Sequence, residues 1–328
     1  MTTEDLFVER VKALAPGSKH LVVGIGDDAA VLAAAEGPLL ATTDLLVEGV
    51  DFLPGEEPER LGRRAAAVNL SDLAAMGGRP EFFLLSVAFP RQLGADYPLA
   101  VARGALSRAT PLGAVLAGGD LSDAPQTVVS IAFWGRPEGR PLLRSGALPG
   151  DLLYVSGQPG RAAAGLRIAR GQAPSGLSPA ILSELLAAYR DPEPRVALGR
   201  ALAGEDLARA AIDVSDGLGR DAARLARASG VRIVVQRERL PISEGLAAYA
   251  EAGSLDPYEL ALGGGDDYEL LFAAPRQARA KLDAGCAAWD VAVRQIGFCE
   301  AGAGVVLRDG SSERDIASLG FDHLEHRP

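Results

Sequence analysis

Aspartate beside glycine, serine or threonine is the recurring chemical unit of this chain. "GIGDDAAVL" (24–32) and "GGGDDYELL" (263–271) each set two adjacent aspartates behind glycines. "TTDLLVEGVDF" (42–52), "NLSDLAAMGG" (69–78), "GGDLSD" (118–123) and "DVSDGL" (213–218) repeat the theme with spaced acids. Taken singly, Asp28, Asp216 and Asp267 read as helix caps or Asx turns, and Asp44 as a residue at a strand end. Asp72 fits less well, because it falls in the last turns of a helix, where the macrodipole disfavours an anion. Its alternative is a solvated face. Two carboxylates about 4 Å apart repel by roughly 4 kcal/mol at an effective dielectric near 20, so a convergent set needs cations. Oxygen donors from Asp, Ser and Thr, with no His or Cys among them, suit a hard ion such as Mg²⁺ better than zinc or copper. Aspartates that bind Mg²⁺, and Mg²⁺ that binds phosphate, explain negative charge in a turn shaped to receive phosphate.

Other chemistries find little support. Gly24, Gly26 and Ala29 satisfy a dinucleotide-binding G-x-G-x-x-G/A pattern, with Asp44 near the ribose-binding distance. That alternative needs a helix after the turn, and "AAVLAAAEGP" soon meets Gly37 and Pro38. There is no G-x-x-x-x-G-K-[ST] motif, the only lysines being Lys12, Lys19 and Lys281. His20, His323 and His326 have no metal-binding spacing, and no nucleophile elbow is present.

These residues must be held by an ordered frame. A chain of 328 residues is long enough for about two domains with a real core. It is 48% hydrophobic and 5% aromatic. Its net charge of −10 argues against nonspecific nucleic-acid binding, which draws on Lys and Arg. The charged, amphipathic opening and the absence of any eighteen-residue apolar run give a cytoplasmic expectation, with no membrane partner. Cys286 and Cys299 read as buried small apolar residues.

Hydrophobic patterning predicts strands at 20–26, 38–44, 82–90, 114–119 and 127–135, with helices at 58–76 and 95–109. The Gly- and Pro-rich stretch 135–151 reads as a crossing between domains, placed near residue 138. Beyond it come strands at 151–157, 210–215, 231–236, 268–275 and 302–310, helical segments up to about 204, and a helix at 217–230. Both halves mix strands and helices, giving two α/β or α+β domains, 1–138 and 139–328.

"GIGDDAAVL", "TTDLLVEGVDF", "NLSDLAAMGG", "GGDLS", "LLRSGALPGD", "DVSDGLGRDAARLA", "GGGDDYELLF" and "GFDHL" follow in order from 24 to 324. Together they closely resemble the thiamine-monophosphate kinase family of the aminoimidazole-ribonucleotide-synthetase-like superfamily. The resemblance implies a two-domain α/β fold whose N-terminal sheets pair across a homodimer. It also implies ATP-dependent, Mg²⁺-requiring conversion of thiamine monophosphate to thiamine diphosphate, the N-terminal domain binding metal and ATP and the C-terminal domain completing the nucleotide and acceptor site. By the family pattern several Mg²⁺ ions would be held by Asp28, Thr42, Thr43, Asp44, Asp72, Asp120, Asp213 and Asp216. Gly119, Asp120, Arg144 and Ser215 would contact ATP, and Asp51, Asp266 and Phe321 would face the acceptor. Two positions depart from the family: Asp51 stands where His is common and Asp266 where Glu is common. A purine-biosynthetic synthetase of the same superfamily is the alternative, with a dinucleotide-dependent oxidoreductase behind it. A selenophosphate synthetase would carry an early reactive Cys, and the related hydrogenase maturation protein a C-terminal one. The acceptor is itself a phosphate monoester, largely dianionic at neutral pH, so no general base is expected.

Overall fold

The computed structural model describes residues 3–18, 20–25, 30–33, 37–289 and 291–321. Two compact units form, one from residues 1–73 and 78–137, the other from 74–77 and 138–328. The first begins with α1 (Thr3–Leu14) and the antiparallel pair β1 (Leu21–Val23) and β2 (Val31–Leu32). The described residues that follow Gly24 thus return as a strand, not as the helix a dinucleotide site requires. Then come β3 (Leu40–Val47), α2 (Pro58–Ala75), β4 (Gly78–Phe89), α3 (Asp96–Ala109), β5 (Val115–Asp123) and β6 (Val128–Pro137).

The last four strands form one sheet in the order β3-β6-β4-β5, with β4 and β5 parallel and the other pairs antiparallel. Register aligns Asp44, Ile131, Leu85 and Gly119 across it. Val129, Ile131, Phe133, Phe83 and Leu85 are buried on one face, and Phe83 stacks on Phe133 at 4.9 Å. On the other face Leu45 is 56% exposed and Ser86, Ser130 and Ala132 are only partly buried.

Glycine fixes how the covering helices meet. A Cβ on Gly62 of α2 would lie 1.9 Å from the Val101 carbonyl oxygen, and one on Gly104 of α3 would lie 1.8 Å from that of Glu59. The two backbones therefore touch directly. Gly77, at φ +72°, ends α2, and β4 starts at once with Gly78, four residues before the patterning predicts. β3 also outruns its expected end at residue 44, continuing to Val47.

The second unit contains β7 (Leu152–Ser156), α4 (Arg161–Ala169), α5 (Pro179–Arg190), α6 (Val196–Gly204), β8 (Ala210–Val214), α7 (Leu218–Ser229) and β9 (Arg232–Gln236). It continues with α8 (Glu244–Ala252), α9 (Pro257–Gly263), β10 (Glu269–Ala274), α10 (Arg279–Ala284), α11 (Cys286–Trp289), β11 (Val293–Glu300), β12 (Gly304–Asp309) and β13 (Ser312–Asp315). Its sheet runs β13-β12-β9-β11-β7-β10-β8, parallel only between β9 and β12. Every residue of β7, β8 and β10 is buried, as strands covered on both faces must be. Leu218, Ala222, Leu225 and Ala226 give α7 a buried stripe at helical spacing. Cys299 is buried as expected; the side chain of Cys286 lies outside the described residues.

The patterning misses β11. Its Gly297 looks like a breaker, yet a Cβ there would meet the Val234 carbonyl at 2.0 Å, so the glycine admits the neighbouring strand at a bulge.

Gly104→Ala is expected to force α2 and α3 apart and cost about 1–3 kcal/mol, seen as a lower unfolding midpoint. Gly17→Ala, where a Cβ would meet nothing, should leave the midpoint in place. Equal midpoints for the two variants would show that the helices do not depend on this contact.

Candidate active site

In the first unit the expected ligands come from a strand and a helix. Asp44 lies mid-strand, which removes the strand-end reading, and by register it shares the face of Ile131 and Leu85. Thr42, two residues earlier on the same face, donates its hydroxyl to Asp72 Oδ2 at 2.5 Å, joining β3 to α2. Asp72 is half-buried, so the solvated-face alternative fails as well. Burial, then the charges of Asp72 and Asp51, push the Asp44 carboxyl up to about 7. The structure therefore brings Thr42, Asp44, Asp72 and Asp51 into one electrostatic neighbourhood. Its side-chain donors are all oxygens and its acids repel one another, which fits a hard cation.

Thr43, on the opposite face of β3, is exposed and gives its hydroxyl to the Ile131 carbonyl at 3.0 Å. Asp120 is exposed on β5, paired in register with Ser86. A Cβ on Gly119 would lie 1.9 Å from the Leu85 carbonyl oxygen, so this glycine is already required by strand pairing. Asp51 turns back on its own loop, where its Oδ2 accepts the Val47 N–H at 2.8 Å. Arg64 donates to the Asp51 carbonyl oxygen at 3.5 Å. Asp28 lies outside the described residues.

In the second unit three separated stretches converge on the end of β8. Asp213 is buried on that strand opposite Leu270. The Asp266 N–H donates to the Ser215 carbonyl at 2.7 Å, Tyr268 N–H to that of Val214 at 2.8 Å, and Phe321 N–H to that of Asp216 at 2.8 Å. Ser215, Asp216, Asp266 and Phe321 are thus held together by backbone bonds. Asp266 and Tyr268 take left-handed φ values of +65° and +50°, uncommon without glycine, and the Tyr268 hydroxyl donates to Asp266 Oδ1 at 3.1 Å. Arg144 is exposed in the loop before β7, and its carbonyl accepts the Ser229 hydroxyl at 2.9 Å.

Several acids of this unit have structural partners that the sequence did not announce. Asp267 accepts the N–H groups of Gly160 at 2.7 Å and Ala162 at 3.4 Å, capping α4 across the fold; burial holds its carboxyl well above the usual range. Glu269 takes a bidentate grip from Arg195 at 2.6 and 2.7 Å and the Ser156 hydroxyl at 2.5 Å. Asp221, fully buried, accepts the N–H groups of Ser215 and Asp216, each at 3.1 Å, and so shapes the turn that carries them. The only sequence signal for Asp221 was an acid in the first turn of a helix.

Among the described residues no three His, Cys, Asp or Glu side chains gather closely enough to hold a metal unaided. Magnesium commonly completes its shell with water and substrate phosphate, so paired acids with a threonine hydroxyl remain a suitable partial set.

The raised Asp44 pKa has a consequence for stability. The penalty of an ionised Asp44 is absent below about pH 4 and is fully felt above about pH 7, where the folded protein has released the proton. With metal chelated, Asp44→Asn should therefore raise the melting temperature at pH 8, by an increment that shrinks as pH falls toward 4. An increment independent of pH, measured by calorimetry, would show that Asp44 carries no such penalty.

Residues 26–136 match the family described as AIR synthase related protein, N-terminal domain, and residues 149–310 match its C-terminal domain. Thiamine-monophosphate kinase from Pyrococcus abyssi is 36% identical over 92% of this chain and 90% of its own length. The Salmonella typhimurium protein of the same name is 38% identical over 84% and 81%. The crystal structure of thiamine-monophosphate kinase from Stenotrophomonas maltophilia K279a superposes with a TM-score of 0.82 at 33% identity, covering 94% of this chain and 96% of that one. AaThiL complexed with AMPPCP and TMP gives 0.75 at 32% identity, covering 94% of each chain. Hydrogenase maturation protein HypE, at 19% identity and a TM-score of 0.76, shares the fold. The chain belongs to the thiamine-monophosphate kinase family of the AIR synthase related proteins.

Proposed function

We propose that this chain transfers the γ-phosphoryl group of ATP directly onto thiamine monophosphate, giving thiamine diphosphate and ADP, with the assistance of several Mg²⁺ ions. The observation that carries the reading is the Asp44 carboxylate held beside Asp72 and Asp51, with the Thr42 hydroxyl joined to Asp72. Family membership, and the relative solved with AMPPCP and TMP, point the same way.

Asp28, Thr42, Thr43, Asp44, Asp72 and Asp120 of the first unit, and Asp213 and Asp216 of the second, are the proposed metal ligands. Mg²⁺ held by these residues would supply charge neutralisation and alignment for phosphoryl transfer. Gly119, Asp120, Arg144 and Ser215 are assigned to ATP, Arg144 from an exposed position suited to a polyphosphate. Asp266 and Phe321 are assigned to the acceptor, with Asp51 on the acceptor side but its carboxylate turned back on its own loop. Asp266 suits that role because backbone and tyrosine bonds hold it in a conformation it would not adopt freely. No side chain acts as a base, since the acceptor oxygen already carries charge at neutral pH. The half-open sheet face around Leu45 suits pairing with a second copy, giving a cytoplasmic homodimer.

With purified protein, ATP, Mg²⁺ and thiamine monophosphate, ADP and thiamine diphosphate are expected one for one. Labelled γ-phosphate trapped on the protein without acceptor would overturn direct transfer. Asp72→Asn keeps an oxygen to accept from Thr42, so folding should survive while turnover falls by several orders of magnitude, on the order of 10³ or more. Near-normal turnover of that variant would remove Asp72 from the metal site. Because Asp51 is engaged with its own loop, Asp51→His should leave kcat within about tenfold and KM for thiamine monophosphate equal or lower. A large rise in that KM alone, with KM for ATP unchanged, would assign Asp51 to direct acceptor binding.

A further inference from the structure

On α7 one guanidinium serves two carboxylates. Arg224 Nη1 donates to Asp221 Oδ1 at 2.5 Å, and Nη2 lies 2.5 Å from Asp216 Oδ2. The two acids are held very differently. Asp221 is fully buried, and its other oxygen takes the N–H groups of Ser215 and Asp216, so it stays in place whatever its cation does. Asp216 has a side chain 21% exposed, at the turn where Ser215, Asp266 and Phe321 meet. The Arg224 side chain is 29% exposed and so has solvent into which it can swing.

Two carboxylates sharing one guanidinium keep a net negative charge. A divalent cation at Asp216 reverses that sign and repels the arginine, the repulsion being strongest in the poorly solvated surroundings set by Asp221. We propose that Arg224 is a built-in counter-ion of Asp216: it holds that carboxylate in the metal-free protein, yields it to an arriving divalent cation, and keeps Asp221 as its remaining partner. The inference rests on the assignment of Asp216 as a metal ligand. It makes metal binding weaker than the acid count alone suggests, because a charge-assisted hydrogen bond must break first.

Mg²⁺ titration followed by calorimetry, without nucleotide or acceptor, tests it. Arg224→Gln is expected to tighten the apparent Kd for Mg²⁺ roughly three- to tenfold, while Asp216→Asn weakens it. If Asp216→Asn leaves the Kd unchanged, the ligand assignment is wrong and the counter-ion role falls with it. If Asp216→Asn weakens binding but Arg224→Gln does not tighten it, the assignment stands and the counter-ion role alone is overturned. Should Arg224→Gln fail to fold, the unsubstituted protein labelled with nitrogen-15 arginine gives the answer by NMR. The Arg224 Nη2 protons, freed from Asp216, should exchange slowly without metal and rapidly at saturating Mg²⁺, while the Nη1 protons on Asp221 stay slow; Nη2 exchange that remains slow at saturation overturns the proposal.

Discussion

The Asp44 carboxylate lies on a sheet face otherwise filled by Ile131, Phe133 and Leu85, with Asp72 and Asp51 near enough to repel it. Holding that anion there is the constraint around which the first unit is arranged. A flexible support would let the acids move apart and relax the repulsion. The strand and the helix prevent this: Asp44 is mid-strand in a four-stranded sheet, and Asp72 sits on a helix whose backbone touches its neighbour through Gly62 and Gly104. In the proposed function, rigid scaffolding preserves a repulsion among these acids that a bound cation would relieve.

The second unit deals with its acids differently. Asp267 is satisfied by the N-terminus of α4, Glu269 by Arg195 and Ser156, and Asp221 by two amides and Arg224. These buried groups are expensive to place and, once paired, hard to move, because separating them would leave a charge without solvent. They fix the turns at 215–217 and 264–268, from which the partly exposed Asp216 and Asp266 project. Acids that anchor backbone and acids left partly exposed therefore alternate within these motifs. In "GGGDDYE", Asp266 is half-buried at a strained turn, whereas Asp267 and Glu269 hold the frame that strains it.

Much of this was legible in the residues. Apolar runs and helical periodicity located most elements, because burial imposes its period on the sequence. Gly77 at the end of α2 and Pro58 at its start acted as expected, and the oxygen-only acid set pointed to a hard cation. The motif order was enough to identify the family, since eight spaced signatures constrain one another as no single signature can. What stayed hidden depended on which segments meet in space. Local patterning gave Gly119, Gly297 and Gly104 no packing role, yet a Cβ on each would strike the backbone of another element. Asp267 read as a local cap and proved to cap a helix that begins more than a hundred residues earlier. Nothing in the local pattern singled out Asp221 or Arg224, and only the packing of α7 buried one and paired the other with Asp216. The sequence alone determined which chemistry the chain carries, because donor type and local spacing belong to the residues themselves. The partner of each acid was decided only by tertiary structure, because burial and long-range contact set the strength of a charge and neither is a property of local sequence.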